Sequence, residues 1–134
     1  MEIVIDVKIN KLNKIQNKLY EKVNKALFEI GLNIRSEAIK TCPSTTYRKY
    51  IFIEQRGLGW AVGWRQKVLT FLEYGTRPHM IYPREKIALY WKGALHPVKK
   101  VHHPGTKPQP FLRPAFEKTK PIMKQIIMRH INED

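Results

Sequence analysis

The chain has 134 residues, 43% of them hydrophobic and 10% aromatic, which fits one globular domain over 1–134 and excludes a disordered polyelectrolyte. Its single cysteine, Cys42, excludes an internal disulfide, and no apolar run approaches the ~18 residues that a membrane span needs. A formal net charge of +14 points to a polyanion or an acidic protein as neighbour.

The charge is uneven. Residues 40–120 hold 16 Lys/Arg and 4 Asp/Glu, while the first 39 residues hold 7 basic and 5 acidic side chains. Met1-Glu2-Ile3-Val4-Ile5-Asp6 lacks the basic start and apolar centre of a signal peptide, so a cytoplasmic setting is expected.

Residues 2–9 alternate, with Ile3, Ile5, Val7 and Ile9 on one side and Glu2, Asp6 and Lys8 on the other. That is a half-buried strand by period two. Asn10 offers an N-cap. Residues 11–41 predict one long helix, with Leu12, Ile15, Leu19, Val23, Ala26, Ile30, Ile34 and Ala38 in one apolar stripe. Gly31 weakens its middle by about 1 kcal/mol relative to alanine, which allows a bend. Pro43 ends it. Tyr47 to Gln55 predicts a strand, Arg56-Gly57-Leu58-Gly59 a turn, and Trp60 to Trp64 a second strand with one large and one small face. The small face, Ala61 and Gly63, admits another backbone close in.

Val68 to Tyr74 is apolar around Glu73 and reads equally as a strand or as a helical turn. Residues 79–82 are extended. Ile87–Lys92 and Val98–His103 predict a further hairpin, turning at Gly93-Ala94 and Pro97. The last helix spans about 111–131, with Pro114 in its first turn and Pro121 inside it, where a kink or a split is expected. The sum is an α+β fold. An antiparallel sheet of about four to six strands carries a long N-terminal amphipathic helix and a C-terminal helix packed on it.

The block from Phe71 to Phe116 reads as a set of turns that fixes where the last helix docks. Gly75-Thr76-Arg77-Pro78 and Gly105-Thr106-Lys107-Pro108 each place Gly-Thr before a basic residue and a proline. The glycines form no phosphate loop, and His79, His96, His102, His103 and His130 with Cys42 lack zinc spacing. No catalytic, cofactor or metal residue is assigned. Cys42 reads as a packed thiol. Glu73, the one acid inside an apolar run, has no partner base. It reads as a carboxylate accepting from turn amides or from an arginine such as Arg77.

Leu72-Glu73-Tyr74-Gly75-Thr76-Arg77-Pro78-His79, then Pro83, Ala88-Leu89-Tyr90-Trp91, and Val101-His102-His103-Pro104-Gly105-Thr106-Lys107-Pro108-Gln109-Pro110-Phe111-Leu112-Arg113-Pro114-Ala115 together resemble one family. It is the gene-product-ten-like family of minor tail, neck or tail-completion proteins of long-tailed double-stranded DNA phages and prophages. With the long helix before it, the resemblance covers nearly the whole chain. It departs after the first helix. The family's Ala-Pro-x-x-Thr-Gly-x-Leu-x-x-Ser-Ile stretch is here Thr41-Cys42-Pro43-Ser44-Thr45-Thr46-Tyr47-Arg48-Lys49-Tyr50-Ile51, without the glycine and the serine.

The resemblance implies a structural virion protein and not an enzyme. It would form a ring, commonly six-fold, at the head-tail junction, between the head connector or adaptor and the tail tube or tail terminator, with DNA passing through. Assembly would occur in the host cytoplasm, away from membranes and without a cofactor. Glu73, Gly75, Thr76, Arg77, Pro104, Gly105, Thr106, Pro110, Phe111, Leu112 and Pro114 would be turn and docking elements. Lys99, Lys100 and Lys107 are candidate polyanion contacts for weak, non-specific DNA binding. The competing readings are a small basic RelE-like ribonuclease toxin and a non-specific nucleic-acid-binding module, with aromatics among basic residues at Tyr47–Tyr50 and Tyr90–Lys92.

Overall fold

A computed structural model describes residues 1–5 and 14–133. The fold is α+β. Strand β1 (Glu2–Ile5) is followed by helix α1 (Lys14–Thr41), strands β2 (Phe52–Arg56) and β3 (Gly59–Gly63), and helix α2 (Lys67–Tyr74). Strands β4 (His79–Ile81) and β5 (Val101–His103) and helices α3 (Leu112–Thr119) and α4 (Met123–Asn132) complete it. The expected Asn10 cap and the second half of the first expected strand lie outside the described residues.

The five strands form two antiparallel sheets, β1-β3-β2 and β4-β5, and not the one sheet expected. The β2–β3 hairpin turns as its sequence requires, from Phe52↔Gly63 to Arg56↔Gly59. The small face does admit a close backbone: a Cβ on Gly63 would stand 2.5 Å from the Met1 carbonyl oxygen, beside β1. The expected strand from Tyr47 begins only at Phe52, because Arg48–Tyr50 form a single 3-10 turn.

The 3.6-residue period places Ala26, Ile30, Ile34 and Ala38 in the core, as the stripe requires. Gly31 sits where α1 crosses the sheet, and a Cβ there would meet the Ile53 Cδ1 at 2.6 Å. At the start of the stripe the expectation of burial fails: Ile15 is 82% and Leu19 47% exposed. Ile131 at the end of α4 reaches them only in part, lining a shared hollow.

The ambiguous run at 68–74 is helical, and Leu69 and Glu73, four residues apart, share its inward face. The expected hairpin of 87–92 with 98–103 does not form. Only Leu89↔Val98 pair there, and Val101–His103 pair instead with His79–Ile81. The C-terminal helix splits at Pro121, which starts a 3-10 turn over Lys120–Ile122 between α3 and α4. Both halves lie along α1, which itself rests on β2 and β3, so the C-terminal helices meet the first helix more than the sheet. Phe111 bridges the layers, with its ring 5.1 Å from that of Trp64. One hydrophobic cluster joins Ile30, Ile34, Ile51, Val62, Trp64, Leu69, Phe111, Leu112 and Ile126.

Candidate assembly site

Helix α2 ends at Gly75, whose φ of 72° and ψ of −178° lie in a region open essentially to glycine alone. The next residue, Thr76, bonds across to the second Gly-Thr turn. Its amide donates to the Thr106 carbonyl at 3.0 Å, and the Thr106 amide donates to the Thr76 carbonyl at 3.1 Å. The two hydroxyls meet at 3.0 Å. A Cβ on Gly75 would stand 2.5 Å from the Thr106 carbonyl oxygen, and one on Gly105 would stand 2.4 Å from that of Thr76. Each glycine therefore makes room for the other turn's threonine. The two motifs that read as repeated turns are partners in one bridge.

The same register runs on from Thr76↔Thr106 into His79↔His103, Met80↔His102 and Ile81↔Val101. The proline after the first turn, Pro78, and the one before the second, Pro104, lack an amide to donate, so the ladder is interrupted there. The His79 and His103 rings stack with centroids 5.0 Å apart. His103 Nδ1 accepts from the Gly105 amide at 3.0 Å, and His79 Nδ1 lies 2.7 Å from the Arg77 carbonyl oxygen. The sequence gives these histidines no metal-ligand spacing and no assigned role. Their equal spacing from the two threonines was the available signal.

On the other side of the bridge the Pro-rich link runs back along α2. The Gln109 amide donates to the Leu72 carbonyl at 2.7 Å. Glu73 then receives the start of α3. Its Oε2 accepts from the amides of Phe111 at 2.7 Å and Leu112 at 3.0 Å, and its Oε1 accepts from that of Arg113 at 3.0 Å.

A helix start leaves four amides without intrahelical partners. Here Phe111 is the N-cap residue and supplies no side-chain cap of its own. Glu73 takes three of the four amides, and the fourth position is Pro114, which has none to satisfy. Glu73 is only 3% exposed, so these bonds offset the cost of burying a carboxylate, and the helix dipole favours a negative charge at this end.

Of the residues singled out from sequence, Glu73, Gly75, Thr76, Gly105, Thr106, Phe111 and Leu112 come together in this unit. Arg77 does not pair with Glu73. Its side chain is exposed, as are Pro104, Pro110, Pro114, Lys99, Lys100 and Lys107. Above the bridge is a groove of 640 Å³ lined by Phe71, Thr76, Arg77, His79, Ile81 and His103 among others.

Beyond β4 the segment 82–100 holds Ile87 at 92% and Leu95 at 98% exposure, with Tyr82, Tyr90 and Trp91 also exposed. Cys42 is buried beside the end of α1, and burial pushes its thiol up from the usual range. Among the described residues no three His, Cys, Asp or Glu side chains are grouped as metal ligands would be, and no described helix is long and apolar enough to cross a membrane. No family model, no curated protein and no solved structure matches this chain.

Proposed function

We propose that this chain is a structural virion protein of a long-tailed phage or prophage. It forms a ring at the head-tail junction, joins connector or adaptor to tail tube or tail terminator, and surrounds the DNA path. The observation that carries the reading is the state of Glu73. Both of its oxygens are taken up by amides of 111–113, and the motif residues around it are spent on turns and on docking a helix. That is how a scaffold uses these residues, and it ties the buried acid of the block to the backbone of α3.

Two further features support the reading. Segment 82–100 and the face of Phe71 hold apolar side chains uncovered in the single chain, as surfaces that assemble do. The excess of basic charge between residues 40 and 120 suits a neighbour of opposite sign, whether an acidic ring protein or DNA phosphate.

Light scattering at several concentrations, alone and with purified connector or tail-tube rings, tests the proposal. The expected result is a closed oligomer or a stable complex with one of those rings. A monomer in every mixture contradicts it. RNA cleavage by the purified protein would replace it with the ribonuclease reading.

A further inference from the structure

A second groove, of 430 Å³, lies between the short β4-β5 sheet and residues 89–91 and has its own chemistry. Tyr90, Trp91, His102 and His103 are among the residues that line it, so it is rich in aromatic side chains. Tyr90 is 68% and Trp91 49% exposed, so neither is a core residue. Aromatics among basic residues on a strand are ordinarily half core, and these are not.

The segment that presents them is held in place. The Leu89 amide donates to the Val98 carbonyl at 2.7 Å, and the Val98 amide donates back at 3.0 Å. Within two residues of the groove residues in the chain stand Lys92, Lys99 and Lys100, all exposed and, among the described residues, in no ion pair. Several carboxylates elsewhere are already engaged. Glu2 and Glu54 are held by Arg56, Glu29 by Arg129, and Glu37 by Lys40 and Lys118. Glu85, in the same segment, is also exposed and in no ion pair among the described residues, so the three lysines leave an excess of positive charge there.

We infer that this groove binds single-stranded nucleic acid, with bases stacked on Tyr90 and Trp91 and phosphates held by Lys92, Lys99 and Lys100. Exposed π-faces beside unpaired cations are the two halves of a single-strand site. A duplex hides its base faces in the stack, so the rings would have nothing to meet. An acidic protein surface would engage the lysines but has no use for the exposed rings of Tyr90 and Trp91. Every base offers a π-face, so the site has little sequence preference. The inference does not depend on ring assembly.

The test is fluorescence anisotropy with a labelled random-sequence single-stranded DNA and with its duplex, over a range of salt, using the full chain. The expected result is tighter binding of the single strand. Trp91→Ala weakens it roughly 5- to 150-fold, and Trp91→Phe, which keeps a ring face, recovers most of the loss. The double variant Lys99→Gln/Lys100→Gln flattens the dependence of log K on log salt by about 1.4, at ~0.7 per single-strand phosphate contact. A melting curve for each variant separates lost binding from lost fold.

Duplex bound as tightly as single strand, with Trp91→Ala indistinguishable from wild type, overturns the inference. So does displacement of the DNA by poly-glutamate with no effect of Trp91→Ala, which assigns the surface to an acidic protein. No binding at low salt overturns it as well. None of these results touches the scattering measurement that tests the ring.

Discussion

Glu73 Oε2 accepts the Phe111 amide at 2.7 Å across 38 positions of sequence. The bond belongs to a cap supplied in trans, since α3 carries no side-chain cap of its own. Removing it strips three amides of their acceptor in a place with little water. Glu73→Ala is expected to lower stability by about 2–4 kcal/mol, since bonds to a charged group contribute ~1.5–3 kcal/mol each and are not additive. Glu73→Gln should recover only part, because its NH₂ turns a donor toward a donor. Urea unfolding measures both, and an alanine variant as stable as wild type would show that α3 starts without this cap.

The Gly-Thr bridge makes a sharper comparison. Gly75 and Gly105 have positive φ, and an added Cβ there meets backbone oxygen at 2.5 Å and 2.4 Å. Gly57 and Gly93 also have positive φ, but nothing lies within 4 Å of an added Cβ. Alanine at 57 or 93 should cost about 1–2 kcal/mol, the backbone term alone. At 75 or 105 the clash adds to it, and the loss should exceed about 3 kcal/mol. Thermal melts of the four single variants decide. Equal losses would mean that the two turns do not need their close approach.

The terminal helix has an unequal pair of aromatic anchors. Phe111 is fully buried, whereas Phe116 is only partly buried against the core. Phe111→Ala is expected to cost about 3–5 kcal/mol, and Phe116→Ala about 1–2 kcal/mol. The reverse order in a denaturant titration would place the anchor one turn further along α3.

Acid should loosen the far end of the chain. Glu29 on α1 bonds to Arg129 and His130 on α4. The Arg129 side chain first, and then His130, hold the Glu29 carboxyl below its ordinary value of 4.5. A depressed carboxylate adds stability that is fully present above its unfolded pKa and is lost as pH falls through the folded one. Wild type should thus lose a little stability as the pH falls below the ordinary value of 4.5, and Glu29→Gln should lose less. The pair is partly exposed and screened, so the effect is small and shrinks in salt. Circular-dichroism melts at stepped pH read it, and parallel curves for both proteins would remove Glu29 from the account.

The elements with strong periodicity were legible in the sequence. The buried positions of α1 follow from a 3.6-residue stripe, and the split at Pro121 follows from the missing amide of proline. That Glu73 needed donors, with turn amides and Arg77 equally open, was also legible, because an acid in an apolar run cannot stay unpaired.

Which amides it takes was not, since they lie beyond β5 in the chain. The β5 partner was missed for a related reason: composition marks 98–103 as extended, but register comes from the partner, here set by Thr76 and Thr106. Val68–Tyr74 is too short for periodicity to separate helix from strand. Ile15 and Leu19 obey the stripe and are nevertheless exposed, because an apolar period shows which side seeks a partner and not how fully the described residues cover it.

Negative-stain micrographs of the purified protein, at rising concentration and with connector or tail-tube rings added, test the central claim most directly. The account expects closed rings with a central hole, or an added ring layer on the partner assembly. Single particles of monomer size on every grid, with the partner rings unchanged, would contradict it.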